Sequence, residues 1–427
     1  MRGASYLRGV ISLNPEQELL GFLLLGAWAG YVAYRLEYRR APFWVYGYLV
    51  VKVLAAWVFG WVYASYYCQG DTLKLYSTAG RLWHYLVQEP EAGVALLFRE
   101  FSQRFEEVGW AVYYRDVRLY DYDYDYFDPV NYRFARLVMP LYVAVGGGYY
   151  GMQGLMGLLS GLLWYGAYKR WREIVPLRGF GGVGFLLLPS VVFWGSGVLR
   201  DSLGLPLMLY VAGWLASASR RVSPGDAVGF LVAGIVLGLV RWEGLVLGVV
   251  AGIGYHFPWR RWWLWMIAGA VAWLILWVSA EKICAYRAYW LSPKERPELL
   301  EGAHVFRIDC RPGMVGAIWS WMQGVWYGLT GPYLWQVQKG VAFLSALETL
   351  AVWVMVGWFV WRRRKRLCWR PKAAFLMGVG LLVVGVVAMA MPFWGTVVRQ
   401  RLYGWGLLWL SLMGLQECAE ERAGSLR

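Results

Sequence analysis

The residues Tyr66-Tyr67-Cys68-Gln69-Gly70-Asp71-Thr72-Leu73 stand where a long apolar run ends and the first long polar segment begins. The apolar run, 43–65, is long enough to cross a bilayer, which takes about 20 residues. We therefore expect Asp71 at the outer mouth of a membrane helix, where its carboxylate can accept a proton from a hydroxyl and act as a general base. The same carboxylate could instead serve as the N-cap of a helix that starts at Thr72.

The composition indicates whether the chain folds in water or in a lipid bilayer. Of its 427 residues, 59% are hydrophobic, 16% are charged and 29 are Trp, and the mean hydropathy is +0.41. One water-soluble core cannot hide so much apolar surface, so we predict an all-α polytopic membrane protein. The net charge of +15 does not indicate nucleic acid, because Lys and Arg cluster in short linkers between apolar runs, as the positive-inside rule expects.

The apolar runs and their basic flanks predict about eleven transmembrane helices. Placing the Arg-rich linker 35–40 in the cytoplasm puts Asp71 outside. The predicted spans are 17–34, 43–65, 137–167 with a break at 146–148, 181–198 and 202–218 with a hinge at 197–201, 227–256 as a hairpin turning at 241–244, 263–280, 338–361, 373–391 and 402–415. We expect one transmembrane domain, 1–427, in the bacterial inner (plasma) membrane, with a cytoplasmic C-terminus.

Two long segments are predicted outside the membrane, 66–135 and 281–336. In the first, the helical spacing of Leu residues over 72–88 predicts an amphipathic helix lying in the interface. The run 120–128 alternates acidic and aromatic residues, which fits a loop or short strand, an acceptor-binding segment, or a divalent-cation site (Mg or Mn) through Asp121 and Asp123. No cofactor is certain.

The second external segment carries two further signals. Its Trp-rich half, 313–335, is interrupted by Gly and Pro, which suits an interfacial or re-entrant piece better than a full span. Cys284 and Cys310 both map to this outer side, and in an oxidising compartment they could close the segment with a disulfide.

Ionisable residues inside apolar runs are costly and call for a partner or a function. Two interpretations stay open: mutual pairing, with Lys52 or Arg241 bound to Glu348, or a charged pathway. The residues concerned are Lys52, Arg241, Glu243 and Glu348.

Arginines from distant parts of the chain map to the outer side, where positive charge is normally scarce. The guanidinium fork matches phosphate oxygens, so the cluster could hold the phosphate or diphosphate of a lipid carrier. Each could also be an exposed loop charge. The residues are Arg200, Arg241, Arg311, Arg399 and Arg401.

This arrangement resembles the membrane-embedded glycosyltransferases of the GT-C superfamily, over about 60–415. The matching pieces are Gly70-Asp71-Thr72 with Tyr76, the 188–201 hairpin from Leu188-Pro189 to Arg200-Asp201, Arg241-Trp242-Glu243, Gly331-Pro332-Tyr333-Leu334-Trp335, and Gly395-Thr396-Val397-Val398-Arg399-Gln400-Arg401. The chain departs from the family's pattern by an extra helix before the one leading to Asp71 and by the lack of a large external C-terminal domain.

The resemblance implies a GT-C-like bundle that transfers a sugar, with inversion, from a polyprenyl-phosphate donor to a lipid, polysaccharide or protein acceptor in the cell envelope. It implies Asp71 as the general base and Arg200, Arg241, Arg399 and Arg401 as ligands of the lipid phosphate. Sugar or acceptor contacts would come from Tyr76, Trp194, Asp201, Glu243 and Trp335.

Other classes remain open. A lipid-linked polysaccharide polymerase or ligase would rely more on 281–336 than on Asp71. A lipid or polysaccharide transporter would use the intramembrane charges and usually shows related halves, and we find no such repeat. A structural membrane subunit is the remaining alternative. Asp71→Asn should abolish a transferase and spare a transporter, and Glu348→Gln should do the reverse.

Overall fold

The structure, a computed structural model, describes residues 14–67, 70–98, 129–175, 177, 179–217, 223–257, 261–291, 305–311, 313–336, 340–363 and 370–416. It is 87% helical, and within these residues the β pairing consists of an isolated bridge between Val305 and Phe393. The predicted all-α class is therefore confirmed. The acidic run 120–128, with Asp121 and Asp123, lies outside the described residues.

The first part of the chain forms nine α-helices among the described residues. They are α1 Pro15–Tyr38, α2 Phe43–Trp61, α3 Asp71–Gln88, α4 Pro90–Phe98, α5 Pro129–Ala144, α6 Tyr149–Arg172, α7 Gly179–Gly184, α8 Pro189–Trp194 and α9 Arg200–Ala216. A π-helical turn, Val62–Tyr67, continues α2 toward Asp71.

The second part, from residue 223 onward, forms eight α-helices in the ranges that the structure describes. They are α10 Pro224–Val240, α11 Trp242–Gly254, α12 Trp262–Trp290, α13 Gly313–Thr330, α14 Gly340–Arg363, α15 Pro371–Ala390, α16 Trp394–Gln400 and α17 Leu402–Gln416.

By length and composition, five described helical stretches can cross a membrane, which makes the chain a multi-pass membrane protein. They are Pro15–Tyr38, Phe43–Tyr66, Trp263–Tyr289, Phe343–Arg362 and Pro371–Ala390. Three shorter apolar helices accompany them: Pro224–Val240, Trp242–Gly254 and Leu402–Leu415. The predicted total of eleven spans stays a prediction.

Several predicted breaks are confirmed by the backbone. The third predicted span divides between α5 and α6 at a turn where Gly146 and Gly147 have φ of 62° and 84°, values that favour glycine. The run 227–256 divides at Arg241, but α11 already begins at Trp242, so the interruption is shorter than the expected 241–244 turn. Of the hinge predicted at 197–201, residues 197–199 lie between α8 and α9, whereas Arg200 and Asp201 already belong to α9.

The second external segment begins inside a helix. Helix α12 continues to Trp290, ten residues into the segment 281–336 that the sequence places outside the membrane, and Ile283 and Cys284 in this extension pack against a hydrophobic cluster that includes Leu276 and Ala280. The limits of the external segment stay a prediction. The predicted disulfide is present between Cys284 and Cys310.

The chain groups into two compact units built from interleaved segments. The first contains 1–166, 192–207 and 231–243. In it α3 packs against α4 and α5, and Leu82, Tyr85, Ala92, Leu96 and Tyr132 form a buried cluster. The amphipathic helix predicted at 72–88 is thus present as α3, and its apolar face is covered by protein.

The second unit contains 167–191, 208–230 and 244–427. Helix α15 packs against both α13 and α17, and glycines allow the close approach. A Cβ on Gly380 would lie 2.9 Å from the carbonyl oxygen of Gly404, and one on Gly324 would lie 2.3 Å from that of Gly385. These backbones therefore touch directly, a device that membrane helices use widely.

Candidate functional site

Asp71 is the first residue of α3 and is partly exposed. The N-cap is Gly70, without a capping side-chain hydrogen bond, so the expectation that Asp71 caps a helix starting at Thr72 is wrong by one residue. Gly70 has a φ of 128°, and a Cβ there would lie 2.5 Å from the ring of Tyr63. A glycine is needed here for both reasons.

Gln153 joins the start of α3 to the loop before α9. This fully buried side chain donates from Nε2 to the hydroxyl of Thr72 at 2.6 Å. Its Oε1 accepts from the backbone N–H of Val198 at 2.9 Å. A buried amide that satisfies both of its ends in this way fixes the spacing of the two segments it joins. The residue next to Asp71 is thereby tied to the loop that leads into Arg200 and Asp201.

The 195–199 loop is held close to α2. A Cβ on Gly197 would lie only 2.0 Å from the ring of Phe59, so no larger residue fits in this packing. The hydroxyl of Ser202, on α9, donates to the carbonyl of Gly197 at 2.6 Å. The loop therefore has little freedom to move away from α2.

Arg241 and Asp201 form an ion pair within the first unit. Arg241 Nη2 lies 2.8 Å from Asp201 Oδ1, and the side chains are 13% and 4% exposed. Arg241 occupies the break between α10 and α11, and Asp201 stands in the first turn of α9, where the helix dipole favours a carboxylate. The pair thus holds Arg241, a predicted phosphate ligand, at the first turn of α9, which directly follows the loop that Gln153 binds.

The remaining candidates of this unit differ in exposure. Arg200 begins α9 and is partly exposed, whereas Glu243 in the first turn of α11 is exposed. Trp194 is 9% exposed and packs edge-on against Phe59 and Phe193, which leaves little of its ring for a sugar.

Tyr76 lies on α3 and is tied to the α5–α6 turn. Its hydroxyl donates to the carbonyl of Gly147 at 2.6 Å. Burial, with smaller contributions from Tyr142 and Glu18, raises the pKa of Tyr76 far above its usual range. The phenol therefore stays neutral and serves as a donor.

Lys52 is fully buried in α2, and its ammonium donates to the carbonyl oxygen of Gly195. The hydroxyl of Ser160 donates to the same oxygen at 2.5 Å. Gly195 directly follows α8, so the cation binds at the negative end of a helix. The sequence suggested Glu348 as a partner for Lys52 or Arg241, and the described contacts give both cations other partners.

The second unit contains Arg399, Arg401, Trp335 and Glu348. Arg401 is completely buried. Its guanidinium donates to the carbonyls of Gly328, at 3.1 Å, and Gly331, and to the hydroxyl of Thr349 at 2.9 Å, and it lies 4.2 Å from the ring centre of Trp405. As placed, it satisfies carbonyls at the end of α13 and presents no surface to a lipid phosphate.

The other candidates of the second unit are placed differently. Arg399, in the last turn of α16, is partly exposed, and Trp335 is 81% exposed. Glu348 on α14 is buried, and its carboxylate accepts from the backbone N–H of Ser190, at 2.8 Å, and from the Ser190 hydroxyl. These bonds satisfy the first turn of α8.

Arg287 was missed by sequence reasoning. It is 3% exposed and donates to the carbonyls of Ala388 and Met391, each at 3.0 Å, and of Phe306. Like Arg401, it binds carbonyls at the C-terminal end of a helix, here α15. A cation in the last turn of a helix that contains a long apolar run is the signal that could have identified it.

No metal centre is found in the part of the chain that the structure describes: no three His, Cys, Asp or Glu side chains there are grouped to hold an ion. The one predicted pair, Asp121 and Asp123, lies outside that part.

The fold and these contacts define a multi-pass, all-α membrane protein with a buried polar network around the start of α3. Comparisons with protein-family models, with curated proteins and with solved structures each found no match.

Proposed function

We propose that the protein is a membrane glycosyltransferase of the GT-C type, which moves a sugar from a polyprenyl-phosphate donor to an acceptor hydroxyl at the external face. The observation that carries the proposal is the bridge made by Gln153. It fixes the start of α3, where Asp71 lies, relative to the loop that leads to Arg200 and the Asp201–Arg241 pair. A base and phosphate ligands held on one rigid frame suit a displacement at a phosphate-linked carbon.

In the proposed reaction Asp71 removes the proton from the acceptor hydroxyl as its oxygen attacks the anomeric carbon. The bond from that carbon to the phosphate oxygen breaks with inversion, and the lipid phosphate leaves with the electron pair. Arg200 and Arg241 stabilise the negative charge that gathers on the phosphate. We assign the buried Arg401 to holding the end of α13.

Two observations support a site at the outer face of a membrane. Five apolar helices can cross a bilayer, in which a polyprenyl donor would dissolve. The disulfide between Cys284 and Cys310 fits an oxidising compartment. The proposed location is the bacterial inner membrane with the site on its outer face. The acceptor remains a lipid, a polysaccharide or a protein hydroxyl.

The test is a transfer assay on the purified chain in lipid, with a panel of radiolabelled polyprenyl-phosphate sugars and crude envelope lipid, glycan and protein as acceptors. Asp71→Asn should lower the rate by about 10²–10⁴-fold, the usual contribution of a general base. Glu91→Gln is the matched control, because Glu91 is also an acid in the first turn of a helix within the predicted external segment 66–135. Transfer that survives in Asp71→Asn would overturn the mechanism.

Glu348→Gln separates the proposal from the transporter alternative. Glu348 binds only the start of α8 among its described hydrogen bonds, so its neutral amide should leave transfer measurable. Absence of transfer in the native chain, together with movement of the lipid carrier across vesicles that Glu348→Gln abolishes, would favour transport.

A further inference from the structure

The two opposite faces of helix α13 carry side chains of different size. The buried face carries Gly316, Ala317, Ser320, Gly324 and Gly328. The opposite face carries an exposed stripe at helical spacing, which we name the α13 stripe: Val315 (79% exposed), Trp319 (44%), Met322 (52%) and Trp326 (61%). Residues 313–330 include no charged side chain, so the stripe would be an unusually apolar surface in water.

The contacts of α13 with α15 place it near one end of a membrane span. A Cβ on Gly324 would meet the backbone of Gly385 and Met389, and one on Gly328 would meet Val384 and Ala388. Gly324 and Gly328, one turn apart on α13, therefore both contact the same short stretch of α15, residues 384–389. In two helices that pack along their length, the next turn of one contacts the next turn of the other. Helix α13 therefore crosses α15 at a steep angle.

The crossing point sets the depth of α13. The contacted stretch, 384–389, ends one residue before the C-terminus of α15 at Ala390, and α15 is one of the five candidate spans. A helix that crosses a span steeply at its last turns lies near the bilayer surface. In agreement, α13 is not among the helices apolar enough to cross the bilayer.

One flank of α13 is polar. Gln323 accepts from the backbone N–H of Asp309 at 3.1 Å, and Asp309 forms an exposed ion pair with Arg311 at 2.6 Å. Trp at the stripe suits the headgroup–acyl boundary, where indole rings concentrate. We infer that α13 lies along the membrane surface at the end of α15 and that the α13 stripe contacts lipid at this boundary. This decides between the interfacial and re-entrant alternatives that the sequence left open, and it does not depend on the proposed function.

The experiment attaches nitroxide spin labels at Met322→Cys and Trp326→Cys, in a chain whose Cys68, Cys368 and Cys418 are Ser and whose disulfide is kept. Accessibility to oxygen, which dissolves in lipid, is compared with accessibility to a water-soluble nickel chelate, in vesicles. Ile275→Cys on the α12 span, where Ile275 is 60% exposed, is the deep control. Ser223→Cys, which is exposed just before α10, is the aqueous control.

We expect oxygen accessibility to exceed nickel accessibility severalfold at both stripe positions, with a depth shallower than that of Ile275. Ser320→Cys on the buried face should be inaccessible to both reagents. Three results would each overturn the inference: higher nickel than oxygen accessibility at the stripe, which means water; a depth equal to that of Ile275, which means a span; or low accessibility to both reagents, which means that protein covers the stripe. Because the stripe side chains are exposed, these variants should fold.

Discussion

The side-chain amide of Gln153 donates a hydrogen bond of 2.6 Å to the hydroxyl of Thr72, the residue that follows Asp71. Its carbonyl end accepts from the N–H of Val198 at 2.9 Å. Since all three groups are buried, the bridge should contribute both to stability and to the geometry of the proposed site.

Gln153→Leu keeps the volume of the side chain but leaves the Val198 N–H without this acceptor. Stranding a buried polar group costs about 1–3 kcal/mol, so the free energy of unfolding in mixed micelles should fall by that amount. Gln17→Leu on α1 is the control, because Gln17 is exposed and such changes stay within about 0.5 kcal/mol. Equal stability of the two variants would show that the bridge does not form.

How far the sequence predicted this site depends on the kind of signal. Hydropathy located the five stretches that can cross a membrane, and the Gly146–Gly148 and Arg241 interruptions were visible as breaks in apolar runs. The helix start next to Asp71 was predicted to within one residue, because a polar segment follows a long apolar run there. These are local sequence patterns, and the structure that each one predicts depends little on tertiary packing.

The partners of the buried polar groups could not be predicted. Lys52 and Arg401 bind backbone carbonyls, which carry no signature in the sequence. Gln153 could have been noticed as the one amide of the predicted span 137–167, since such a group needs partners, but nothing identified Thr72 and Val198. Carbonyl groups that helix ends expose are placed only by tertiary packing.

Lys52 shares its acceptor with Ser160, and this predicts a coupled effect. Lys52→Met should change the free energy of unfolding by less than about 1 kcal/mol, because an apolar side chain of similar shape replaces a buried charge while Ser160 still satisfies Gly195. Lys52→Met with Ser160→Ala should cost about 1–3 kcal/mol, because the carbonyl loses both donors.

A double-mutant cycle measured by equilibrium unfolding checks this coupling. A loss of several kcal/mol in Lys52→Met alone would contradict it and would show that the ammonium has a further essential partner.

Gly197 predicts a steric effect at the loop before α9. Gly197→Ala places a methyl group 2.0 Å from Phe59, and overpacking of this kind costs about 1–3 kcal/mol. Gly234→Ala is the control, because a Cβ at Gly234, on α10, meets nothing within 4 Å. Adding Phe59→Leu to Gly197→Ala should recover part of the loss in thermal unfolding, whereas no recovery would indicate that backbone freedom, not space, decides this position.

The disulfide between Cys284 and Cys310 closes a loop with a sequence separation of 26. Closing a loop of this size stabilises a chain by about 3–4 kcal/mol. Cys284→Ser, Cys310→Ser and the double variant should therefore lose similar amounts of stability, and reduction of the native chain should reproduce the loss. Mass spectrometry of non-reduced peptides that finds both thiols unlinked in protein from its native membrane would contradict this pairing.

Arg241 and Asp201 allow structure to be separated from chemistry. Arg241→Gln removes the ion pair from Asp201, which is 3% exposed, and breaking a buried pair from one side costs about 3–5 kcal/mol. Asp201→Asn with Arg241→Gln puts two neutral amides in place of the charges, so the free energy of unfolding should return close to that of the native chain.

If Arg241 also binds the donor phosphate, transfer should remain lost in the stable double variant, with KM for the polyprenyl-phosphate sugar raised more than kcat is lowered. Transfer that recovers together with stability would mean that Arg241 serves only to hold Asp201 and the start of α9, and the phosphate would then have to be bound by Arg200 or by other cations.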